Sequence, residues 1–315
     1  MIGEDFYKNK SVLVTGGGGF IGSHLVGKLI DLGAKVYVIL HSNKLDNLQK
    51  IKDKIECIFC CDISVKESVE KIEPNFEIIF HLAANISVNE SMGDPEKIRA
   101  TNVVGTRNIL DLAVKKKVKT FAYVSTSKVY NWSDDPINEN SEIRSSSTYS
   151  QTKLEGEKLC FEYGKKHYIG ITVSRFFNAY GIRQRGGAIA LFTKKALSNK
   201  NIIIEGNGKQ KRDFIHVNDI VQALILVGSK KAARNQTFNF GTGVGTEIIQ
   251  VANTIIKLTK SSSKITHIKA RKDEGSSTCD YQKAKNLLNW EPKISLEDGL
   301  KEVIKWVKKD SFFVE

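Results

Sequence analysis

The sequence predicts an α/β fold: a doubly wound parallel sheet with a smaller C-terminal lobe laid over the edge of the sheet. Three observations carry that prediction. Short β-branched runs alternate with amphipathic stretches through the first half of the chain. A glycine-rich turn joins the first run to the first amphipathic stretch. The alternation then loosens after about residue 178.

Taken in order, "SVLVTG" (11–16), "KVYVIL" (35–40), "IECIF" (55–59), "FEIIFHL" (76–82), "KTFAYVS" (119–125) and "GITVSRF" (170–176) read as buried strands. Between them, "FIGSHLVGKLIDLG" (20–33) and "PEKIRATNVVGTRNILDLAVKKK" (95–117) space their apolar residues as amphipathic helices do. Strand, helix, strand in succession requires crossovers and therefore parallel pairing. Later, glycine clusters at 186–187, 206–208 and 241–245 separate shorter elements, and "LEDGLKEVIKWVKK" (296–309) reads as a closing helix. Within this part, "DFIHVNDIVQALIL" (213–226) again reads as strand then helix. The first domain is therefore expected to hold residues 1–177 plus about 213–242, and the second lobe about 178–212 and 243–315.

Composition narrows the function classes. With 41% hydrophobic and 26% charged residues, a chain of 315 residues can bury a full core. The N-terminal "MIGEDFYKNK" has acids where a signal peptide needs bases, and "IVQALILVG" (220–228) is too short to span a bilayer. A soluble, cytoplasmic protein without a membrane partner is expected. The net charge of +13 comes from 48 basic against 35 acidic residues, but lysine is dispersed and forms no nucleic-acid module. An anionic small-molecule ligand accounts for the excess, with no nucleic acid as partner. Five cysteines make no pair of CxxC doublets at zinc spacing and six histidines are scattered, so buried reduced thiols and no metal site are expected.

Two motifs carry chemistry. In "VTGGGGFIGSHL" (14–25), Gly16, Gly19 and Gly22 lie between the first strand and the first helix. Glycine there permits a tight turn and lets a pyrophosphate approach free N–H groups at the helix N-terminus. In "YSQTK" (149–153), Tyr149 and Lys153 are four apart and share one helix face. A lysine ammonium beside a phenol favours the phenolate, which could take a proton from an alcohol.

Together these motifs resemble the short-chain dehydrogenase/reductase family, and the second lobe resembles its extended branch of nucleotide-sugar epimerases and dehydratases. Further matches are "CDI" (61–63), "HLAA" (81–84), "NVVGT" (102–106), "VSTSKVY" (124–130), "RFFNAYGIRQ" (175–184), "GNGKQKRDFIHVNDI" (206–220) and "LLNWEPKISLEDGL" (287–300). The resemblance implies a Rossmann sheet and a bound dinucleotide. It places Gly16, Gly19, Phe20, Ile21 and Gly22 at the pyrophosphate and Asp62 and Ile63 at the adenine. Leu82, Ala83 and Ala84 would line the dinucleotide, and Asn102 would order the strand ends. Thr126, Tyr149 and Lys153 are implied as catalytic, with Tyr149 and Lys153 also touching the cofactor. Ser87, Thr126, Asn178, Arg212 and Arg271 are implied to bind a nucleotide-diphosphate sugar. Arg271 sits in "RKDEGSSTCD", a loop altered from the family pattern.

Departures from that pattern bear on the reaction. Dehydratases and decarboxylases of this branch resemble one another in placing an acid just after the catalytic threonine, where this chain has Ser127 and Lys128. That favours a nucleotide-sugar epimerase acting at C4 of a hexose or N-acetylhexosamine. The alternative is an NADPH-dependent reductase of a 4-keto sugar nucleotide. NAD-using members resemble one another in an acid at the end of the second strand; here Leu40 or His41 stands there, followed by Ser42 and Lys44. The cofactor is thus NAD or NADP, with a lean to NADP. The resemblance implies a pocket-gating position shortly before Asp280, by count about Ser277, whose small size would admit N-acetylated sugars. The resemblance implies a homodimer through helices at about 95–117 and 148–167; Ile109, Leu112, Leu154 and Phe161 are candidate contacts that core packing would explain equally.

Overall fold

In the computed structural model, which describes residues 5–86, 94–270 and 275–310, the first six predicted strands pair in parallel. They are β1 (Ser11–Thr15), β2 (Lys35–Leu40), β3 (Cys57–Cys60), β4 (Ile78–His81), β5 (Thr120–Thr126) and β6 (Gly170–Phe176). A seventh, β10 (Gln236–Phe240), joins them in the order β10-β6-β5-β4-β1-β2-β3. The order reverses at β1, which pairs with β2 on one side and β4 on the other. A crevice opens at such a reversal, beyond the carboxyl ends of the strands.

Alternation along each strand divides the core into two layers. Val12 and Val14 of β1 pack with α1 (Phe20–Asp31) and with a helix of Val217–Ser229. Leu13, between them in sequence, faces the opposite layer with Ile79 and Phe121. That layer is closed by a helical stretch that begins, after the short α2 (Lys66–Glu70), with α3 (Pro95–Arg99). It widens into a π turn at Ala100–Val104 and continues as α4 (Gly105–Lys115). Beside it runs α5 (Thr148–His167), started by a capping box in which Ser147 and Ser150 bond each other's backbone N–H. Ile109 and Leu112 are buried in this core, which withdraws them from any contact with a second chain; Leu154 and Phe161 stay half-buried.

The strand read at 213–226 differs from expectation in its partners. Lys211–His216 forms β9, which pairs with β7 (Asn178–Tyr180) and β11 (Gly245–Glu247) in a separate three-stranded sheet. Only the helix that follows it, α7 (Val217–Ser229), returns to pack on α1. A further core of Tyr180, Ile202, Ile204, Phe214 and Val251 holds the second lobe. It draws in α6 (Ala188–Leu197), β8 (Ile202–Glu205), α8 (Ile248–Thr259) and, beyond β12 (Ile265–Ile268) and α9 (Gln282–Leu288), α10 (Leu296–Val307). Among the described residues no helix is long and apolar enough to cross a membrane. Of the five cysteines, Cys160 and Cys279 are buried, but Cys60 is exposed, at the outer strand β3.

Candidate active site

The glycine turn fits a pyrophosphate for steric reasons visible in the backbone. Gly16 ends β1 with φ +68°, and a Cβ there would lie 2.9 Å from the Ala83 nitrogen. A Cβ on Gly22 would collide with the Gly16 carbonyl oxygen, so helix and turn touch backbone to backbone. Gly19 caps α1 without a side chain, and the first turn of α1 carries no acid. The Gly19 N–H donates to the Gly16 carbonyl at 3.0 Å and closes the turn, so the N–H groups of Phe20 and Ile21 keep the positive end of the helix dipole for an anion.

A buried chain of hydrogen bonds braces the floor beside this turn. Thr15 Oγ1 accepts from the backbone N–H of Leu82 and Ala83, and lies 2.7 Å from His81 Nδ1. The Thr106 hydroxyl donates to the Asn102 carbonyl at 2.7 Å, so it can accept from His81 Nε2 at 3.0 Å. Asn102, in the π turn, accepts from the Asn85 N–H at 2.8 Å and donates to the Asn85 carbonyl and to Thr152 Oγ1. Thr152 in turn donates to the Tyr149 carbonyl. One amide thus ties the segment after β4, where Leu82, Ala83 and Ala84 are half-buried, to the start of α5.

At the outer end of this floor, burial pushes the Asp62 carboxyl up, but two hydrogen bonds from Ser64 and the charge of His41 hold it below the usual range. Ile63 is buried against Gly105, and its carbonyl accepts from Asn108. His41, Ser42 and Lys44 are exposed beyond β2.

The three residues expected to be catalytic converge at the carboxyl end of β5. Thr126 is its last residue, 9% exposed, and its hydroxyl lies beside the Tyr149 phenol. Lys153, 2% exposed, follows one turn later on α5. The electrostatics differ from the expectation of an acidified phenol. Burial pushes Tyr149 up to about 12, and the Thr126 hydroxyl only partly offsets this. A phenolate there would be desolvated. Meanwhile the Lys153 ammonium rests over the ring of Tyr123, 4.0 Å from its centroid, and burial pulls Lys153 down to about 8.

Sequence reasoning missed the polar network behind this trio. Glu157, four residues after Lys153, is 3% exposed and takes a bidentate contact from Arg175 on β6, with Nη2 at 2.5 Å. The Ser125 hydroxyl also donates to Glu157. Arg175 Nη1 donates to the Tyr130 hydroxyl, which donates to Asn239 on β10. A charged residue, Arg175, inside the fully buried strand β6 was the available signal.

In the second lobe, Asn178 Nδ2 donates to the Asp213 carbonyl, next to Arg212. Arg212 lies with its guanidinium carbon 4.6 Å from the Trp132 ring centroid and donates to the Gly275 carbonyl. Beside them a cleft of about 490 Å³ is lined by Trp132, Glu205, Lys209 and Gln210. Ser277 is buried and exchanges backbone hydrogen bonds with Lys211 and Asp213 on either side of Arg212. Asp213, also missed, is fully buried and gathers N–H groups of Thr242, Gly243 and Cys279; burial pushes its carboxyl up against those bonds. Ser87 and Arg271 lie outside the described residues.

A Rossmann sheet with a glycine turn and a tyrosine–lysine pair at its carboxyl edge defines a class of dinucleotide-dependent enzymes. Residues 12–241 match the model of the NAD dependent epimerase/dehydratase family, and the chain belongs to it. The chain is 34% identical to a UDP-N-acetyl-alpha-D-glucosaminuronate decarboxylase of Bacillus cytotoxicus, covering 95% of this chain and 98% of that protein. It is equally 34% identical to a putative UDP-glucose 4-epimerase of Methanocaldococcus jannaschii (95% and 99% covered). Among solved structures, the UDP-glucose 4-epimerase of Thermotoga maritima with UDP-glucose is 35% identical, with a TM-score of 0.89 over 95% of this chain and 99% of that one. The UDP-glucuronic acid 4-epimerase of Bacillus cereus, in complex with UDP-glucuronic acid and NAD, is 29% identical with a TM-score of 0.86 over the same shares.

Proposed function

We propose that the chain is an NAD(P)-dependent nucleotide-sugar epimerase that inverts C4 of a UDP-hexose or UDP-N-acetylhexosamine through a transient 4-keto sugar. The observation that carries this reading is the convergence of Thr126, Tyr149 and Lys153 at β5, two strands over from the glycine turn with β4 between. The dinucleotide, when bound between them, supplies the hydride acceptor and then the hydride donor. Tyr149 takes the proton from the C4 hydroxyl and later returns it. Thr126 orients the same oxygen. Lys153, one turn on along the same helix face, brings a cation to the site, which, with the positive charge of an oxidised nicotinamide, would lower the cost of the phenolate that burial raises. Arg212 and Asn178, set side by side on β9 and β7, hold the diphosphate, for which a guanidinium suits better than a point charge.

The turn after Thr126 supports epimerisation over dehydration or decarboxylation, since Ser127, Lys128 and Val129 offer no carboxylate. The exposed His41, Ser42 and Lys44 support room for a 2′-phosphate, and hence NADP, although the Bacillus cereus structure is in complex with NAD. The division into two lobes at the boundaries read from the sequence is part of the proposal, with β9, which pairs with β7 and β11, assigned to the sugar-binding side. A homodimer through α4 and α5 is part of the proposal.

The test is to incubate the protein with UDP-, GDP-, CDP- and dTDP-sugars and follow products by NMR. A C4 epimer pair reaching equilibrium without net change in cofactor redox state supports the reading. Net NADPH oxidation would instead indicate the reductase, and loss of CO2 or water would overturn the assignment. Titration with NAD and NADP separately decides the cofactor.

A further inference from the structure

We propose that Tyr123 is a positioning residue for Lys153, its ring face serving as the seat of the ammonium. Tyr123 lies on β5, three residues before Thr126, and is fully buried. Lys153 Nζ stands 4.0 Å from the centroid of its ring. The same ring reaches the helix backbone: the Tyr123 hydroxyl donates to the Lys153 carbonyl at 3.3 Å. One side chain therefore fixes both the main chain and the head group of Lys153. The room for it comes from Gly156, three residues on, where any Cβ would overlap the Tyr123 hydroxyl oxygen.

The neighbouring groups leave the ring as the main support for the charge. From α5 itself come Tyr149, Glu157 and Cys160; from β4 comes His81, whose ring centroid is 5.8 Å from that of Tyr123; from β6 comes Arg175. Both Glu157 oxygens are engaged by Arg175, so the charge of Glu157 is largely spent there. Burial pushes the Cys160 thiol up and the His81 imidazole down, which leaves both neutral near pH 7. A ring face attracts an ammonium through its quadrupole and gives nothing comparable to the neutral amine, an effect that strengthens when the pair is desolvated. Tyr123 thus works against the burial that draws Lys153 down to about 8. Its consequence for turnover rests on the reading of Tyr149 and Lys153 as the reacting pair; its test does not.

The test uses the full chain with 13C at the lysine ε carbons, followed by NMR against pH. The Lys153 signal is the one lost in Lys153→Arg. It should be displaced upfield by the ring and titrate near pH 8. Tyr123→Phe should keep both properties. Tyr123→Leu should lose the displacement and titrate roughly one pH unit lower, about a tenfold loss of proton affinity. Pentafluorophenylalanine at position 123 keeps the bulk while reversing the quadrupole, and should lower the midpoint likewise even if the leucine variant folds poorly. Midpoints unchanged in the leucine and fluorinated variants, or lowered as far in Tyr123→Phe, overturn the proposal. Failure of every UDP-sugar to turn over while these titrations behave as stated would count against the epimerase reading alone.

Discussion

Replacing His81 with glutamine should remove a specific part of the acid sensitivity of the fold. His81 is fully buried between Thr15 and Thr106, and burial, aided by the Lys153 cation, pushes it down to about 3. The unfolded chain takes up that proton near pH 6.5. Between these two values the unfolded state binds the extra proton, so stability falls as pH falls, by up to ~1.4 kcal/mol per pH unit. From pH 7 to pH 5 that amounts to about 2 kcal/mol for this one group. His24 and His216, both pushed down to about 4 by burial, act in the same direction, so the parent should lose more than His81 alone accounts for. The difference between parent and His81→Gln isolates the residue. Urea unfolding at pH 5 and pH 7 measures it. The variant should start less stable, because it breaks the Thr15–Thr106 link, yet lose about 2 kcal/mol less between the two pH values. Parallel curves would refute a neutral, buried imidazole under the dinucleotide floor.

Gly22→Ala forces backbone apart at the glycine turn; overpacking of ~1–3 kcal/mol should weaken NADH or NADPH binding roughly tenfold to a hundredfold in a fluorescence titration. Glu157→Gln leaves the Arg175 guanidinium buried without its counter-ion and should destabilise the protein by ~3–5 kcal/mol, read as a fall in Tm. Arg212→Met should weaken UDP binding by calorimetry roughly tenfold to a hundredfold, the loss of a charge-assisted contact of ~1.5–3 kcal/mol, and leave dinucleotide binding unchanged.

The first six strands and α1 were legible because local apolar runs and the glycine turn fix them without long-range help. β2 and β6 fall on the predicted residues. The π turn at Ala100–Val104 was not legible, since it lies within one continuous helical pattern. β9 read correctly as a strand, but its sheet did not: strand period does not name a partner, and the choice of β7 and β11 is made by residues far away in sequence. The grouping of Tyr149, Lys153 and Thr126 at the carboxyl end of β5 was legible from spacing and resemblance. The electrostatics of that trio were not, because desolvation depends on what packs around a phenol, and Tyr123, which carries the ammonium, looks in sequence like any buried strand aromatic. Glu157, Arg175 and Asp213 escaped for the same reason: their meaning lies in partners 18 to 66 residues away.

The central claim is that the Tyr149 phenol exchanges a proton with the C4 hydroxyl of a nucleotide sugar. Tyr149→Phe keeps the ring and removes the oxygen. Assayed by NMR on whichever UDP-sugar the parent epimerises, the variant should lose about 100- to 10,000-fold in kcat while binding the dinucleotide as before. Epimerisation at the parent rate in Tyr149→Phe, with cofactor bound, would contradict the account.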